Sequence, residues 1–192
     1  MGHPDRIPKL SRLSQCSALY TKNGVLFFVP ILDMLLIRSA TRNDAALLLA
    51  MIRELAEFER MPELVTNREE DLARDGFGEN PRFRALMAEW SGQAAGYALY
   101  FDYYSTWAGP GLFLEDLFVR EAFRGRGIGT GLLAAVAKVA VEEKCYGIHW
   151  SVQDWNDKAI ELYKAIGAEF HDKWRPVLLS GEALERLARK AT

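Results

Sequence analysis

Apolar residues recur at helical spacing through Leu48, Met51, Ile52, Leu55 and Phe58, which predicts a helix over Ala45–Glu59 with Asp44 as its N-cap. Ahead of it, Met34–Ala40 reads as a short strand. Thr66, with Glu69 three residues on, predicts a capping box for a second helix that Gly76 stops. Phe83–Trp90 and Ala95–Tyr104 read as two strands joined by a hairpin at Ser91-Gly92. Leu112–Val119 is the next strand. Ile128–Glu143 is a helix with Leu132, Leu133, Val136, Val139 and Ala140 on one face. Gly147–Val152 is again a strand. Asn156 caps a helix over Asp157–Ile166, which Gly167 ends. Phe170–Leu179 reads as a final strand that Pro176 confines to an edge or a break. Glu182–Lys190 reads as a terminal helix. The order predicts an α/β domain with a mixed central sheet and helices on both faces.

Composition narrows the class. The chain has 192 residues, 49% hydrophobic, with a formal net charge of −2, which suits one domain with a full core. No basic excess or basic face is visible, so nucleic acid is not an expected partner. Gly24–Ile37 is too short to span a bilayer and is interrupted by Pro30 and Asp33, so no membrane association is expected. Residues 1–33 also lack a convincing signal-peptide pattern. They are read, in preference to a transit peptide, as a non-catalytic extension ahead of a domain over 34–192, with Met34 as its expected start. Cys16 and Cys145 form no metal spacing and read as reduced thiols of a cytoplasmic protein. His3, His149 and His171 are too scattered for a zinc site, and no metal is expected.

The chemistry concentrates between the strand Leu112–Val119 and the helix that follows it. Arg124-Gly-Arg-Gly-Ile-Gly129 presents consecutive backbone N–H groups at a positive helix end, a seat for a phosphate group. The glycines allow close approach, and Arg124 and Arg126 add charge. A dinucleotide fingerprint fails, because the sixth position is Thr130 counted from Gly125 and Leu132 counted from Gly127. A P-loop fails because no Gly-Lys pair occurs in the chain.

What remains is R-x-x-G-x-G. Leu114-Glu-Asp-Leu-Phe-Val119, Phe123-Arg-Gly-Arg-Gly-Ile-Gly129, Trp155-Asn156 and Leu162-Tyr-Lys-Ala-Ile-Gly-Ala168 follow one another in an order and spacing that resemble the GNAT acetyltransferase superfamily. Ile52–Met61, Asp75-Gly-Phe-Gly-Glu79 and the segment around Trp107 are similar to its diamine (spermidine/spermine) N-acetyltransferase branch. The resemblance runs from about Leu36 to Leu179. It implies a single GNAT-like domain that uses acetyl-CoA as co-substrate. Leu117, Phe118 and Val119 would offer backbone partners to the pantetheine arm. Arg124, Gly125, Arg126, Gly127, Ile128, Gly129 and Thr130 would hold the pyrophosphate, and Asn156 would add a polar contact.

The resemblance also implies Tyr163 as general acid toward the departing thiolate and Glu115 as base, acting through water. Glu115 and Asp116 are adjacent on a strand, so alternation sends their side chains to opposite faces. Asp116 then reads as a strand-end polar residue or a hydrogen-bond partner. Residues matching the branch's amine-contacting positions are Phe58, Glu59, Glu115, His149, Trp150, Ser151 and Asp172. The branch has Tyr where Phe58 stands and an acidic residue where Ser105 stands, so the acidic surface is thinner here. A diamine or polyamine, a lysine-like or thialysine-like amine, and other small primary amines all stay open as acceptors. A homodimer is implied by the resemblance. The alternatives are a peptide or protein N-acetyltransferase and a catalytically silent acetyl-CoA-binding module.

Overall fold

The structure is a computed structural model and describes residues 18–22, 25–29 and 34–191. The expectation of a non-catalytic extension, and with it Cys16 and His3, falls largely outside the described residues. Within 1–33, β1 (Ala18–Lys22) and β2 (Val25–Val29) form an antiparallel two-stranded sheet of their own, which the sequence reading did not anticipate. The chain divides into two compact units, Met1–Trp150 and Ser151–Thr192.

The first unit is organised by a five-stranded sheet in the order β3-β4-β5-β6-β7. β3 (Leu35–Ser39), β4 (Arg84–Trp90), β5 (Gln93–Ser105) and β6 (Gly109–Val119) pair antiparallel in succession, and β7 (Ile148–Trp150) joins β6 in parallel. The sheet is therefore mixed, as expected. The β4–β5 hairpin turns at Ser91 (φ 49°) and Gly92 (φ 78°), the two-residue connection whose twist matches its strands.

Helices cover both faces. α1 (Ala45–Phe58) sets Leu48 and Met51 against Ala85 and Met87 of β4, Tyr97 and Leu99 of β5 and Phe118 of β6. α2 (Glu69–Phe77) lies beside α1. On the other face, α3 (Ile128–Glu142) buries Ile128, Leu132, Leu133, Val136 and Ala140, and Gly131 comes close to Leu35 and Ile37 of β3. Among the described residues no helix is long and apolar enough to cross a membrane.

Several local expectations change. Asp44 stands at the N-cap position of α1, as expected, but its side chain makes no cap bond to the helix. Its carboxylate turns back to accept from Thr41 N (2.7 Å) and from both Nη atoms of Arg38 (2.8 and 2.9 Å). That arginine also reaches Glu89 (2.8 Å), so one guanidinium ties β3, β4 and the approach to α1. It holds the Asp44 carboxyl well below the usual range. The chain is still irregular at Thr66. The α2 cap is made at Arg68, whose N–H donates to Asp71 (3.2 Å). Gly76 does not stop α2. It is buried one residue before the helix end, where a Cβ would stand 2.4 Å from the Phe83 ring.

In the second unit α4 (Asp157–Ala165) starts at Asn156, whose Oδ1 accepts from Ala159 N (3.3 Å), and ends before Gly167 at φ 83°. α5 (Gly181–Ala188) closes the described chain. Phe170–Leu179 is not a strand. Trp174 N bonds back to His171 O in a turn, Pro176 has no N–H to give, and no strand among the described residues pairs with the segment. Apolar alternation alone cannot supply a ladder partner.

Gly96 stands where β5 backs onto the end of β6. A Cβ there would lie 2.3 Å from the Phe118 carbonyl oxygen, against backbone that cannot rotate away. Gly96→Ala is expected to destabilise the protein by about 1–3 kcal/mol, read as a lower denaturation midpoint at unchanged m-value.

Candidate active site

The site begins with a fault in the β5–β6 ladder. Leu99 pairs with Asp116, but Tyr100 pairs with Leu114, so Glu115 has no partner across the strand. Such a bulge breaks alternation. The expectation that Glu115 and Asp116 simply face opposite sides is corrected accordingly. Asp116 keeps the register of Leu99 and lies on the face that α1 covers, while Leu114, with Tyr100, turns to the α3 face. Glu115 is exposed on the bulge itself, and Asp116 is half-buried.

Tyr97, fully buried under α1, donates its hydroxyl to Asp116 Oδ2 at 2.9 Å. Of the two readings the sequence offered for Asp116, hydrogen-bond partner is the one the fold adopts. Burial pushes the Asp116 carboxyl up to about 6; Tyr97 opposes the rise, and the charges of Glu115 and Glu59 add to it. Glu59, at the C-cap of α1, is itself shifted upward by burial. Three carboxyls therefore share one locality: Glu59, Glu115 and Asp116. Tyr97 is the residue the sequence reading missed. Its register on β5 was legible, but nothing in the sequence marked its hydroxyl as Asp116's donor.

Glu59 is placed by the way α1 ends. Arg60 takes φ 63°, and the amides of Arg60 and Met61 bond to the carbonyls of Glu57 and Ala56 (3.1 and 2.8 Å), the paired closure of a Schellman motif. Two arginines then fasten this helix to the end of β6. Arg120 meets Glu54 (2.6 Å) and the Ala94 carbonyl (3.0 Å). Arg124 donates to the Val119 carbonyl (2.9 Å), and its guanidinium lies 4.6 Å from the centre of the Phe58 ring. Phe58 thus sits beside the glycine loop.

The loop has the predicted form. Gly125 and Gly127 both take φ 76°, and a Cβ at either would meet nothing within 4 Å, so the backbone is open to a ligand. The first backbone bond of α3 runs from Gly131 N to Gly127 O (2.9 Å), which leaves the amides of Ile128, Gly129 and Thr130 as the orphan donors of the helix start. The Arg126 guanidinium lies over Trp90, 5.3 Å from its ring centre. β6 carries a second open feature. Its pairing with β7 covers only Leu112–Leu114, so no strand among the described residues takes the edge from Glu115 to Val119. Leu117, Phe118 and Val119 lie on that open edge.

The other expected residues are placed as follows. His149 pairs in register with Phe113, on the face that carries Asp116, and forms an aromatic group with Tyr103 (ring centres 4.9 Å apart) and Tyr146, whose hydroxyl shares a hydrogen bond with His149 Nε2. Phe101 stacks on Phe113 alongside (5.3 Å). Trp150 is the next residue on β7, opposite Leu114, so alternation sends it to the α3 face, away from His149. Ser105, where the resembling branch is acidic, uses its Oγ to accept from the amides of Trp107 and Ala108 (3.2 Å each) and shapes the β5–β6 turn. In the second unit Tyr163 is buried on α4, and burial holds its phenol above the ordinary value and so protonated. Ser151 and Asp172 are exposed there.

Asp116 carries a signature in stability. Its carboxyl titrates at about 6 in the folded chain against 3.8 when free, so the fold binds that proton more tightly than the unfolded chain does. The resulting stabilisation is complete below pH 4 and is lost as pH rises through 6. At pH 7.5 the ionised group costs up to about 3 kcal/mol. Asp116→Asn, which keeps an oxygen for Tyr97, is expected to be more stable than the parent at pH 7.5. That advantage should fall to about a third by pH 4.5, as measured by urea unfolding at the two values.

Similarity to known proteins agrees with this geometry. Residues 48–168 match the acetyltransferase (GNAT) family. The thialysine N-epsilon-acetyltransferase of Sus scrofa is 42% identical over 166 residues, 81% of this chain and 98% of that protein. The spermidine/spermine N(1)-acetyltransferase-like protein 1 of Homo sapiens is 37% identical over 144 residues, 71% of this chain and 21% of that protein. An integron cassette protein of V. cholerae shares the fold with a TM-score of 0.67 at 24% identity, over 81% of this chain and 98% of its own. An open glycine loop at a helix start, a free strand edge beside it and a family match spanning both have one account: the chain belongs to the GNAT acetyltransferase family.

Proposed function

We propose that this protein transfers the acetyl group of acetyl-CoA to a primary amine of a small, cationic acceptor, a lysine-like amine or a short diamine, by direct attack in a ternary complex. The observation that carries the reading is the combination, within one unit, of the open glycine loop, the free edge of β6 and the acidic group Glu59, Glu115 and Asp116. The loop and edge suit the donor. The amides of Ile128, Gly129 and Thr130 meet a pyrophosphate, Arg124 and Arg126 add charge, and the backbone of Leu117–Val119 offers strand-like bonds to the amides of a pantetheine arm. Asn156 adds a polar contact to the arm.

The acceptor reading rests on charge and walls. Three carboxyls in one locality favour a cation, and the aromatic surface of Phe101, Phe113, Tyr103 and His149 on the same sheet face suits methylene groups beside it. The relative from Sus scrofa, similar along nearly its whole length, is named for thialysine, an amine of this size. Ser105 is committed to a turn rather than to acceptor charge, which favours a shorter acceptor over a long polyamine. Ser151 and Asp172 complete the set assigned to the acceptor, and the catalytic domain is assigned to residues 34–192.

An ammonium has no lone pair, so the amine first gives up a proton, which Glu115 draws off through water. The nitrogen lone pair then attacks the thioester carbonyl, and the carbon–sulfur bond breaks. Tyr163, kept neutral by burial, gives its proton to the leaving thiolate, and the second proton of the acylated nitrogen then restores the phenol and leaves a neutral amide. A second copy of the chain completes the acceptor site in this reading, as the family resemblance implies.

The test is acetyl-CoA turnover with the full chain across thialysine, lysine, ornithine, diamines, polyamines and short peptides. Turnover is expected on the free small amines. Turnover on peptides alone would replace the reading with a peptide acetyltransferase, and binding of acetyl-CoA with no turnover would replace it with a binding module. Tyr163→Phe is expected to lower kcat about 10²-fold or more with little change in the Kd for acetyl-CoA. Unchanged turnover would remove Tyr163 from the mechanism.

A further inference from the structure

The bulge sets two carboxylates side by side in unlike environments. Glu115 stands exposed to solvent on the unpaired residue. Asp116, one residue on, is half-buried against the sheet face under α1 and is held at one oxygen by the buried hydroxyl of Tyr97. A carboxylate has about four acceptor positions, and a single phenol fills one of them. The groups that face it are Tyr97 from β5, Glu115 from β6 and Glu59 from the end of α1. The cations of this region are engaged elsewhere: Arg120 with Glu54 and the Ala94 carbonyl, Arg124 with the Val119 carbonyl and the Phe58 ring. Asp116 is thus a partly desolvated carboxylate with acidic neighbours, held in orientation by Tyr97.

Resting on the acetyl-transfer reading, we propose that Asp116 is the carboxylate that seats the acceptor's ammonium and takes its proton, and that Tyr97 is the positioning residue that holds it for this task. The step balances without a further reagent. One N–H bond of the ammonium breaks, its electron pair stays on nitrogen as the attacking lone pair, and the proton forms an O–H bond with Asp116. That proton then leaves through water toward Glu115, which stands on the solvent side, and so the two neighbouring carboxylates work in sequence.

Environment favours this order. Burial has moved the Asp116 carboxyl to about 6, near working pH, where a group can both take up and release a proton. The Tyr97 bond works against that rise and keeps the group ionised at neutral pH, ready to accept. Without it a larger share of the carboxyl would carry a proton as the amine arrives.

The experiment is the pH dependence of kcat/KM for one small amine, measured with the full chain and with Tyr97→Phe, Asp116→Asn and Glu115→Gln. The parent is expected to lose activity on the acid side with an apparent pKa near 6. Tyr97→Phe is expected to move that limb upward by about half to one unit and to lower kcat/KM at pH 6.5 about three- to tenfold, a change that loss of packing alone would not produce. Asp116→Asn is expected to cost about 10²-fold or more, and Glu115→Gln to keep the limb at a lower plateau. An unmoved limb in Tyr97→Phe overturns the inference while leaving acetyl transfer intact. So does a limb that disappears with Glu115→Gln. Tyr97→Phe decides the matter even if Asp116→Asn fails to fold. A parent that binds acetyl-CoA yet acetylates no amine overturns the functional reading and this inference with it.

Discussion

One unpaired residue in the β5–β6 ladder governs the active region. Without the shift between Leu99 and Tyr100, Asp116 and Leu114 would share a face, and either a carboxylate would enter the apolar layer under α3 or Leu114 would leave it. The bulge resolves that conflict. It keeps Leu112 and Leu114 buried beneath α3, returns Asp116 and Phe118 to the α1 face, and leaves Glu115 outside both layers. It also stands where the parallel pairing of β7 ends, so the strand changes from an interior to an edge at the same point.

Around that strand the fold uses arginine as a fastener. Arg38 joins β3, β4 and the approach to α1. Arg120 joins the middle of α1 to the end of β6, and Arg124 lies against Phe58 from the glycine loop. A planar guanidinium can bond a carboxylate and a carbonyl at once and still present a face to an aromatic ring, which a lysine cannot. The end of α1, which bears Phe58 and Glu59, is therefore held to the loop that precedes α3. The glycine loop and the acidic end of α1 are mechanically one.

Much of this was legible in the chain. The glycine loop, the β4–β5 hairpin and helices α1, α3 and α4 follow from periodicity and local turn chemistry, and they appear within a residue or two of their expected limits. What failed needed a partner that local sequence does not name. Asp44 takes the N-cap position it was read to take, but Arg38 of β3 engages the carboxylate that was expected to cap. Gly76 looked like a helix stop, but its missing Cβ makes room for Phe83. Phe170–Leu179 had the alternation of a strand and no ladder to join. At the site, Glu115 and Asp116 were both visible, and strict alternation misassigned their directions because a bulge leaves no mark in a run of strand-forming residues. The desolvation that separates the two carboxylates arises from tertiary packing.

The hydrogen bond from Tyr97 has a consequence beyond geometry. It maintains, at neutral pH, an anion that the surrounding fold would more readily hold as a neutral acid. A proton and any bound cation are therefore rivals for the same oxygen atoms, and each displaces the other by an equal free energy. Acidification would weaken any cation held there, and a bound cation would offset the repulsion among the neighbouring carboxylates. Ligand, proton and native structure are linked through one side chain.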